Sequence, residues 1–443
     1  MVKIPSDRSL DSTVGLLRHG YQFISKKCDQ LQTDIFETRL MFEKTICMRG
    51  VEAAKVFYDT DKFTRKNSAP KRIQKTLFGQ GGVQGLDDKA HRHRKQMFMT
   101  LMSPARIDDL VTLTRQQWRN YAQRWTQADR IVLFTEAREV LCRAVCEWAG
   151  VPLPEAEVKL RTLQLAAMID SSGAIGPKHW QGRLARQQAE SWIKDLIESV
   201  RAGQLTASAN RPSNSALLVI AEHKNLDGTL LDPQIAAVEL INVLRPTLAI
   251  GRYITFAALA LHEHPEIAQR IKANSLHADS PSVEWFVQEV RRFYPFFPFA
   301  AARVKQSFNW QGYTFPQGER VLLDLYGTNH DARLWENPNT FWPERFRQWD
   351  EGRFNLIPQG GGDFYLNHRC PGEWITIALM KTTVEFLTQE ITYRVPEQNL
   401  TVDLSDLPAL PKSRFVMSQV KSQAEGQVES QFEGQVENQI AQT

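Results

Sequence analysis

Apolar residues recur mostly at helical spacing along this chain, with a few short stretches of strand-like alternation. Residues 10–27 mix apolar and polar positions as a helix does, and Thr33–Leu40 and Lys44–Arg49 read as short strands joined by Met41-Phe42-Glu43. A helix is expected from Val51, then a polar run from Arg65 to Arg72, then a helix from Lys89 to Met102. Residues 105–150 and 154–202 read as long and helical, the second broken at 170–177, with a surface loop over Gly203–Ser215. Asp232 as N-cap and Pro233 at the first helical position open another long helix that continues past Ala260. Ser282–Tyr294 is helical, and Phe308–Phe315 and Arg320–Leu325 alternate as strands around Gln317-Gly318 to give a small sheet. The fold class is therefore mainly α with small β-sheets. At the end, Gln423–Gln431 is echoed by Gln431–Gln439 with a period of eight, too polar to bury a core, so 421–443 is expected to be a disordered tail.

Composition narrows the function classes. The 443 residues are 42% hydrophobic, enough for a large core, and the 54 basic and 50 acidic residues leave a net charge of only +4. That balance gives no footprint for nucleic acid, and the densest basic run, Lys89–Lys95, is short. Five scattered cysteines without a CxxC exclude a disulfide framework and suit a reducing compartment. Cys142 and Cys146, one helical turn apart, read as small packing residues. Met1–Ser9 contains no apolar signal segment and no window reaches the length of a membrane span, so a soluble, cytoplasmic protein is expected.

The candidate chemistry lies at Pro358-Gln359-Gly360-Gly361-Gly362-Asp363, which leads through His368-Arg369 to Cys370-Pro371-Gly372-Glu373 and a helix over Trp374–Phe386. Glycine backbone allows tight approach, and the helix N-terminus offers amide donors to the sulfur. His368 and Arg369 add cationic or donor groups, and all three influences favour a thiolate. The alternative is a buried structural cysteine in a turn. A second oddity is Arg245-Pro246 inside an otherwise apolar helix. An interior proline costs about 3 kcal/mol, and an arginine on an apolar face needs a partner. Two such residues side by side point to function, against a kink beside a surface arginine. Gly79–Gly85 lacks the Gly-Lys-Ser/Thr ending of a phosphate cradle. Glu289 and Arg292, three residues apart among apolar neighbours, are followed by Arg345 in Pro343-Glu344-Arg345-Phe346.

The cysteine loop resembles the haem-binding loop of the cytochrome P-450 superfamily, in which a cysteine thiolate is the proximal iron ligand. Its Pro358–Asp363 opening and His368–Ile375 close resemble those of the fatty-acid peroxygenase branch, which includes α- and β-hydroxylases and olefin-forming decarboxylases. The resemblance extends over about residues 1–420. It implies the cytochrome P-450 fold in a single large domain holding haem b, with Cys370 as metal ligand. His91, Lys95, Arg65, His368 and Arg303 are the other cofactor-binding candidates. Without the resemblance, His91 and Lys95 read as a solvated charged helix face. Glu289, Arg292 and Arg345 match the superfamily's buried supporting network. The resemblance also lays the Gly79–Gly85 loop over the distal face with Gln84 towards the substrate, and roofs the pocket with 170–177. Phe78, Ile169, Ser172, Phe296, Phe297 and Arg245 are the substrate-binding candidates. Ser172 stands where the branch usually has phenylalanine, and Phe297 where it has a smaller residue, which reshapes the pocket.

Superfamily monooxygenases relay protons through an acid–alcohol pair in the long helix. Arg245 and Pro246 occupy the corresponding positions and cannot do so. Arginine can instead grip a carboxylate. The resemblance thus implies a peroxygenase acting on long-chain fatty acids with hydrogen peroxide and no dedicated redox partner. Arg245, Pro246 and Gln84 are its catalytic candidates, and the substrate's carboxylate serves as general acid–base. Rival readings are a terminal-alkene-forming decarboxylase, a reductase-dependent monooxygenase, and a haem carrier or gas sensor.

Overall fold

In the computed structural model, residues 3–7, 9–174, 176–274 and 282–423 are described. The helix Pro233–Glu263 is the axis of the fold, and 25 of its 31 residues are buried. Its start is fixed by Asp232, whose Oδ1 accepts from the backbone N–H of Gln234 (2.8 Å) and Ile235 (3.3 Å). Pro246 sits within it without ending it. Helices Leu133–Ala149, Val158–Asp170 and Pro177–Arg201 pack against this axis, as does Glu373–Glu385, which follows the cysteine loop. One large apolar cluster runs through all of them.

The five-stranded sheet has the order Ile35–Leu40, Glu43–Met48, Arg320–Asp324, Phe299–Val304, Phe63–Thr64, antiparallel except between its second and third strands. The expected single small sheet around Gln317-Gly318 is thereby divided. Phe308–Trp310 and Tyr313–Phe315 pair only with each other, whereas Arg320–Asp324 is buried throughout at the centre of the larger sheet. A third sheet joins Arg130–Val132, Val416–Ser422 and Ile391–Arg394. It interrupts the helical reading of 105–150 with a strand whose partner is nearly 300 residues away. The last strand ends at Ser422, and the repeat from residue 424 onwards lies outside the described residues.

Glu289 and Arg292 are fully buried. Arg292 donates through Nε and Nη2 to the two Glu289 oxygens, at 2.7 Å each. Trp342 N (2.8 Å) and Arg345 Nε complete the carboxylate's shell. Arg292 Nη1 also donates to Asn329 O (3.0 Å), and Asn329 Oδ1 accepts from Ile357 N (2.9 Å). The network thus anchors the base of the cysteine loop. Among the described residues no helix is long and apolar enough to cross a membrane.

Candidate active site

The cysteine loop is closed by its own backbone. Gly360 N donates to Ile357 O (3.1 Å), Gly362 N to Arg353 O (2.9 Å) and Cys370 N to Gln359 O (3.1 Å). Gly360 has φ +96°, and a Cβ there would lie 3.0 Å from Tyr58 Oη and 3.4 Å from His368 O. The Gly372 N–H faces the Cys370 sulfur, and Gln359 Nε2 lies 3.9 Å from it. Gln359 is itself held by Thr376 Oγ1 (3.0 Å) and by Arg291 Nη2 (3.3 Å). Burial pushes the thiol pKa up, while the Gly372 amide, Lys95 and Arg291 act in the opposite direction. An iron bound to the sulfur would remove the proton outright.

Of His368 and Arg369, expected as cationic or donor groups beside the sulfur, His368 is not a cation. Burial, with Arg65 close by, holds His368 well below the ordinary histidine range, so its ring is neutral. Arg369 is spent on Glu373, 2.6 Å away, and Glu373 also pairs with Arg291. Lys95 and Arg291 are the cations that act on the sulfur.

Helix Asp88–Leu101 buries His91 and Lys95 on one face, so they are not a solvated pair. His91 stacks on His368 with ring centroids 3.8 Å apart. Lys95 Nζ donates to the carbonyls of Asn367 and Arg369, the latter at 2.8 Å. Arg65 joins them, 4.2 Å above the Phe57 ring, with Nη1 donating to Ala301 O (3.0 Å). Burial brings His91 down to about 4 and Lys95 down to about 8, as it does where a cation lacks a close anion. A soft sulfur ligand and a group of buried bases fit an iron macrocycle that carries two carboxylates. Arg303 is not part of this group. Its three guanidinium nitrogens donate to Asn67 O (2.8 Å), Gly318 O (3.0 Å) and Glu43 (2.6 Å) instead.

On the other side stands Arg245, 5% exposed, with Nη2 donating to Asn242 Oδ1 (3.3 Å). Its Nε is buried without a partner, and no carboxylate among the described residues pairs with it. Burial first, then the neighbouring charge of Arg186, brings it down to about 9, with the Cys370 sulfur opposing. It stays a cation at neutral pH, and an incoming carboxylate would relieve this cost. Gln84 is linked to it through Asn242, Oε1 accepting from Asn242 Nδ2 (3.2 Å). The glycine turn before Gln84 is a close approach. A Cβ on Gly79 (φ +83°) would meet Arg186 Nη2 at 2.2 Å and Val238 at 2.5 Å.

One turn beyond Arg245, Ala249 joins Leu77 and Ile169 in an apolar cluster flanked by Ile73, Phe78 and Phe296. Phe296 lies flat on Tyr253 with centroids 4.2 Å apart. Phe297 does not share this cluster; it is 40% exposed and meets the Phe296 ring edge to face. Ser172 sits half-buried in the turn after Ile169, its N–H donating to Ile169 O (3.2 Å). Sequence reasoning missed Gln359 and Arg291 beside the sulfur, and Asn242, Glu239 and Arg186 around Arg245. Glu239 carried a signal, an acid inside an apolar helical run.

The cytochrome P-450 family model matches residues 161–417. Among solved structures, cytochrome P-450SP alpha is 50% identical with TM-score 0.89, covering 94% of this chain and 100% of that one. Cytochrome P-450EX alpha, solved with myristic acid, is 47% identical with TM-score 0.90, over 95% of this chain and all of that one. Ligand-free cytochrome P-450 OleT is 36% identical with TM-score 0.90, over 95% and 99%. Putative cytochrome P-450 138 of Mycobacterium tuberculosis is 23% identical over 385 residues, 81% of this chain and 83% of that protein. Rhazimal synthase of Alstonia scholaris is 26% identical over 203 residues, 41% of this chain, which spans only 40% of that protein. With a thiol-bearing loop, a group of buried bases and these matches along nearly its whole length, the chain belongs to the cytochrome P-450 family of haem b oxidoreductases, on the CYP152 branch.

Proposed function

We propose that this protein is a peroxygenase that uses hydrogen peroxide to hydroxylate long-chain fatty acids at the α and β carbons. The observation that carries this reading is Arg245, a buried cation with no carboxylate among the described residues, immediately before Pro246 in the long helix. Cys370 would ligate the haem iron, and His91, Lys95, Arg65 and His368 would receive the edge that carries its carboxylates. The haem, when bound, supplies peroxide O–O cleavage, assisted by the electron-rich sulfur, and oxidation of C–H bonds.

The residues do the positioning. Arg245 receives the substrate's carboxylate in a charge-assisted pair worth about 1.5–3 kcal/mol. That carboxylate takes a proton from one peroxide oxygen and returns it to the other, which leaves as water. Pro246 offers no side chain able to relay protons, so the substrate brings the acid–base group itself. With the carboxylate pinned, Cα and Cβ are the carbons presented for oxidation, and the apolar cluster of Phe78, Ile169 and Phe296 receives the chain. Gln84, a neutral amide joined to Arg245 through Asn242, favours hydroxylation over loss of carbon dioxide. Turnover of a long-chain fatty acid with peroxide and no reductase tests the reading. Products are expected to be 2- and 3-hydroxy acids with terminal alkene minor. Turnover that requires a reductase, or alkene as the main product, overturns it.

A further inference from the structure

We propose that Glu239 is a positioning residue, which fixes the amide of Asn242 so that Arg245 is held ready for the substrate carboxylate. The inference rests on the carboxylate-docking reading above and adds a residue that touches neither substrate nor cofactor.

Glu239 lies on the long helix, six residues before Arg245, and is fully buried. Arg94, from the helix that carries His91 and Lys95, donates through Nη1 to Glu239 Oε1 (2.7 Å) and through Nη2 to Asn225 Oδ1 (3.3 Å). The Val83 backbone N–H also faces the Glu239 carboxylate. Its second oxygen, Oε2, accepts from Asn242 Nδ2 (3.1 Å). The order of the Asn242 amide then follows from donor chemistry. Burial raises the Glu239 pKa and Arg94 opposes it; in the ion pair with Arg94 the carboxylate is an acceptor only, so the NH₂ of Asn242 faces Glu239 and its oxygen faces the other way. There Oδ1 meets Arg245 Nη2 (3.3 Å), a group that can only donate. The same NH₂ reaches Gln84 Oε1 (3.2 Å), which leaves the Gln84 NH₂ as the end not claimed by Asn242. One buried acid thereby sets the orientation of two side-chain amides on the substrate side, Asn242 and Gln84.

Glutamine at position 239 reverses this order. Arg94 and the Val83 N–H would claim its single oxygen, so its NH₂ would face Asn242. Asn242 would turn its oxygen to that NH₂ and present Nδ2 to Arg245, donor against donor. With Arg94 removed as well, the Val83 N–H occupies only one of the two lone pairs of the glutamine oxygen, which can accept from Asn242 again, and exchanging both members of a buried ion pair for neutral groups is tolerated far better than exchanging one.

The test is calorimetric or spectral titration of the haem-loaded protein with a long-chain fatty acid, with haem content and the carbon monoxide spectrum as controls. Glu239→Gln is expected to weaken affinity about tenfold, the equivalent of one net hydrogen bond. Arg94→Met/Glu239→Gln is expected to return towards wild-type affinity, a rescue that loss of general packing would not give. Wild-type affinity in Glu239→Gln, or no recovery in the double variant, overturns the proposal. If the single variant yields no haem protein, Arg94→Met/Glu239→Gln is compared with Arg94→Met/Glu239→Met, in which position 239 offers only a weakly accepting thioether. The methionine pair should bind about tenfold more weakly, and equal affinities overturn the proposal. Arg245→Ala, titrated alongside, separates the two claims. Undiminished binding there removes the docking reading, whereas impaired binding there with normal binding in Glu239→Gln removes only the positioning role.

Discussion

Gln359 Nε2 lies 3.9 Å from Cys370 Sγ, and its amide is held in that direction by Thr376 on one side and Arg291 on the other. A donor aimed at a thiolate draws charge from it and weakens its donation to a bound metal. Gln359→Leu should therefore lower the reduction potential of the haem iron, at a stability cost of about 1 kcal/mol for the lost contacts. Spectroelectrochemical titration of the two proteins reads this directly. An unchanged or raised potential would show that the amide does not act on the sulfur.

Arg65 and Arg303 are both candidates for the cofactor's carboxylates, and they stand in different surroundings. Arg65 is 9% exposed and adjoins His368 and His91, whereas Arg303 is satisfied by Glu43 and two carbonyls. Arg303→Ala is expected to keep full haem content. Arg65→Ala and His91→Ala should release haem more readily to a scavenging apoprotein. Equal retention in all three would contradict the assignment.

That contrast marks what the chain discloses before folding. Signals that act within a few residues were legible. Asp232 caps a helix at the expected position, Gly360–Gly362 folds the loop back on itself, and Arg245-Pro246 stood out as a local conflict. What depends on a distant partner was not. Arg130–Val132 is a strand only because Val416–Ser418 lies beside it. The Arg303 side chain is spent on Glu43, 260 positions away in sequence. Phe296 and Phe297 are equivalent as neighbours in sequence, and the Tyr253 ring and the Leu77–Ile169–Ala249 cluster receive Phe296. The sequence left His368 open as a cation or a neutral donor, and burial excludes the cation.

Stability should carry a histidine signature in mild acid. Burial, reinforced by Arg292, brings His330 down to about 4 from an ordinary 6.5. Between these values the unfolded chain binds the proton and the folded one does not. The contribution is thus fully present above about pH 6.5 and lost as pH falls towards 4. Its upper limit is about 3 kcal/mol. Buried Asp324, pushed up to about 6, acts in the opposite sense, losing stability as pH rises through that region. Comparison of wild type with His330→Asn cancels Asp324 and isolates the histidine. Urea unfolding of both from pH 7 to 4.5 should show the wild type losing stability faster, and parallel curves would contradict the shift.

Arg245 carries the central claim. Losing the docked carboxylate removes both its binding and its acid–base role, the latter worth ~10²–10⁴-fold in rate. Lysine keeps the charge without the fork, so Arg245→Lys should recover only part of the activity. A short carboxylic acid added to the wild type should let it oxidise a small substrate that has no carboxylate. The most direct measurement is product formation from a long-chain fatty acid and hydrogen peroxide, without reductase, by wild type and Arg245→Ala at matched haem content. The account predicts 2- and 3-hydroxy acids from the wild type and almost none from the variant. Near-normal hydroxylation by Arg245→Ala would mean the carboxylate is held elsewhere, and the substrate-assisted mechanism would fall.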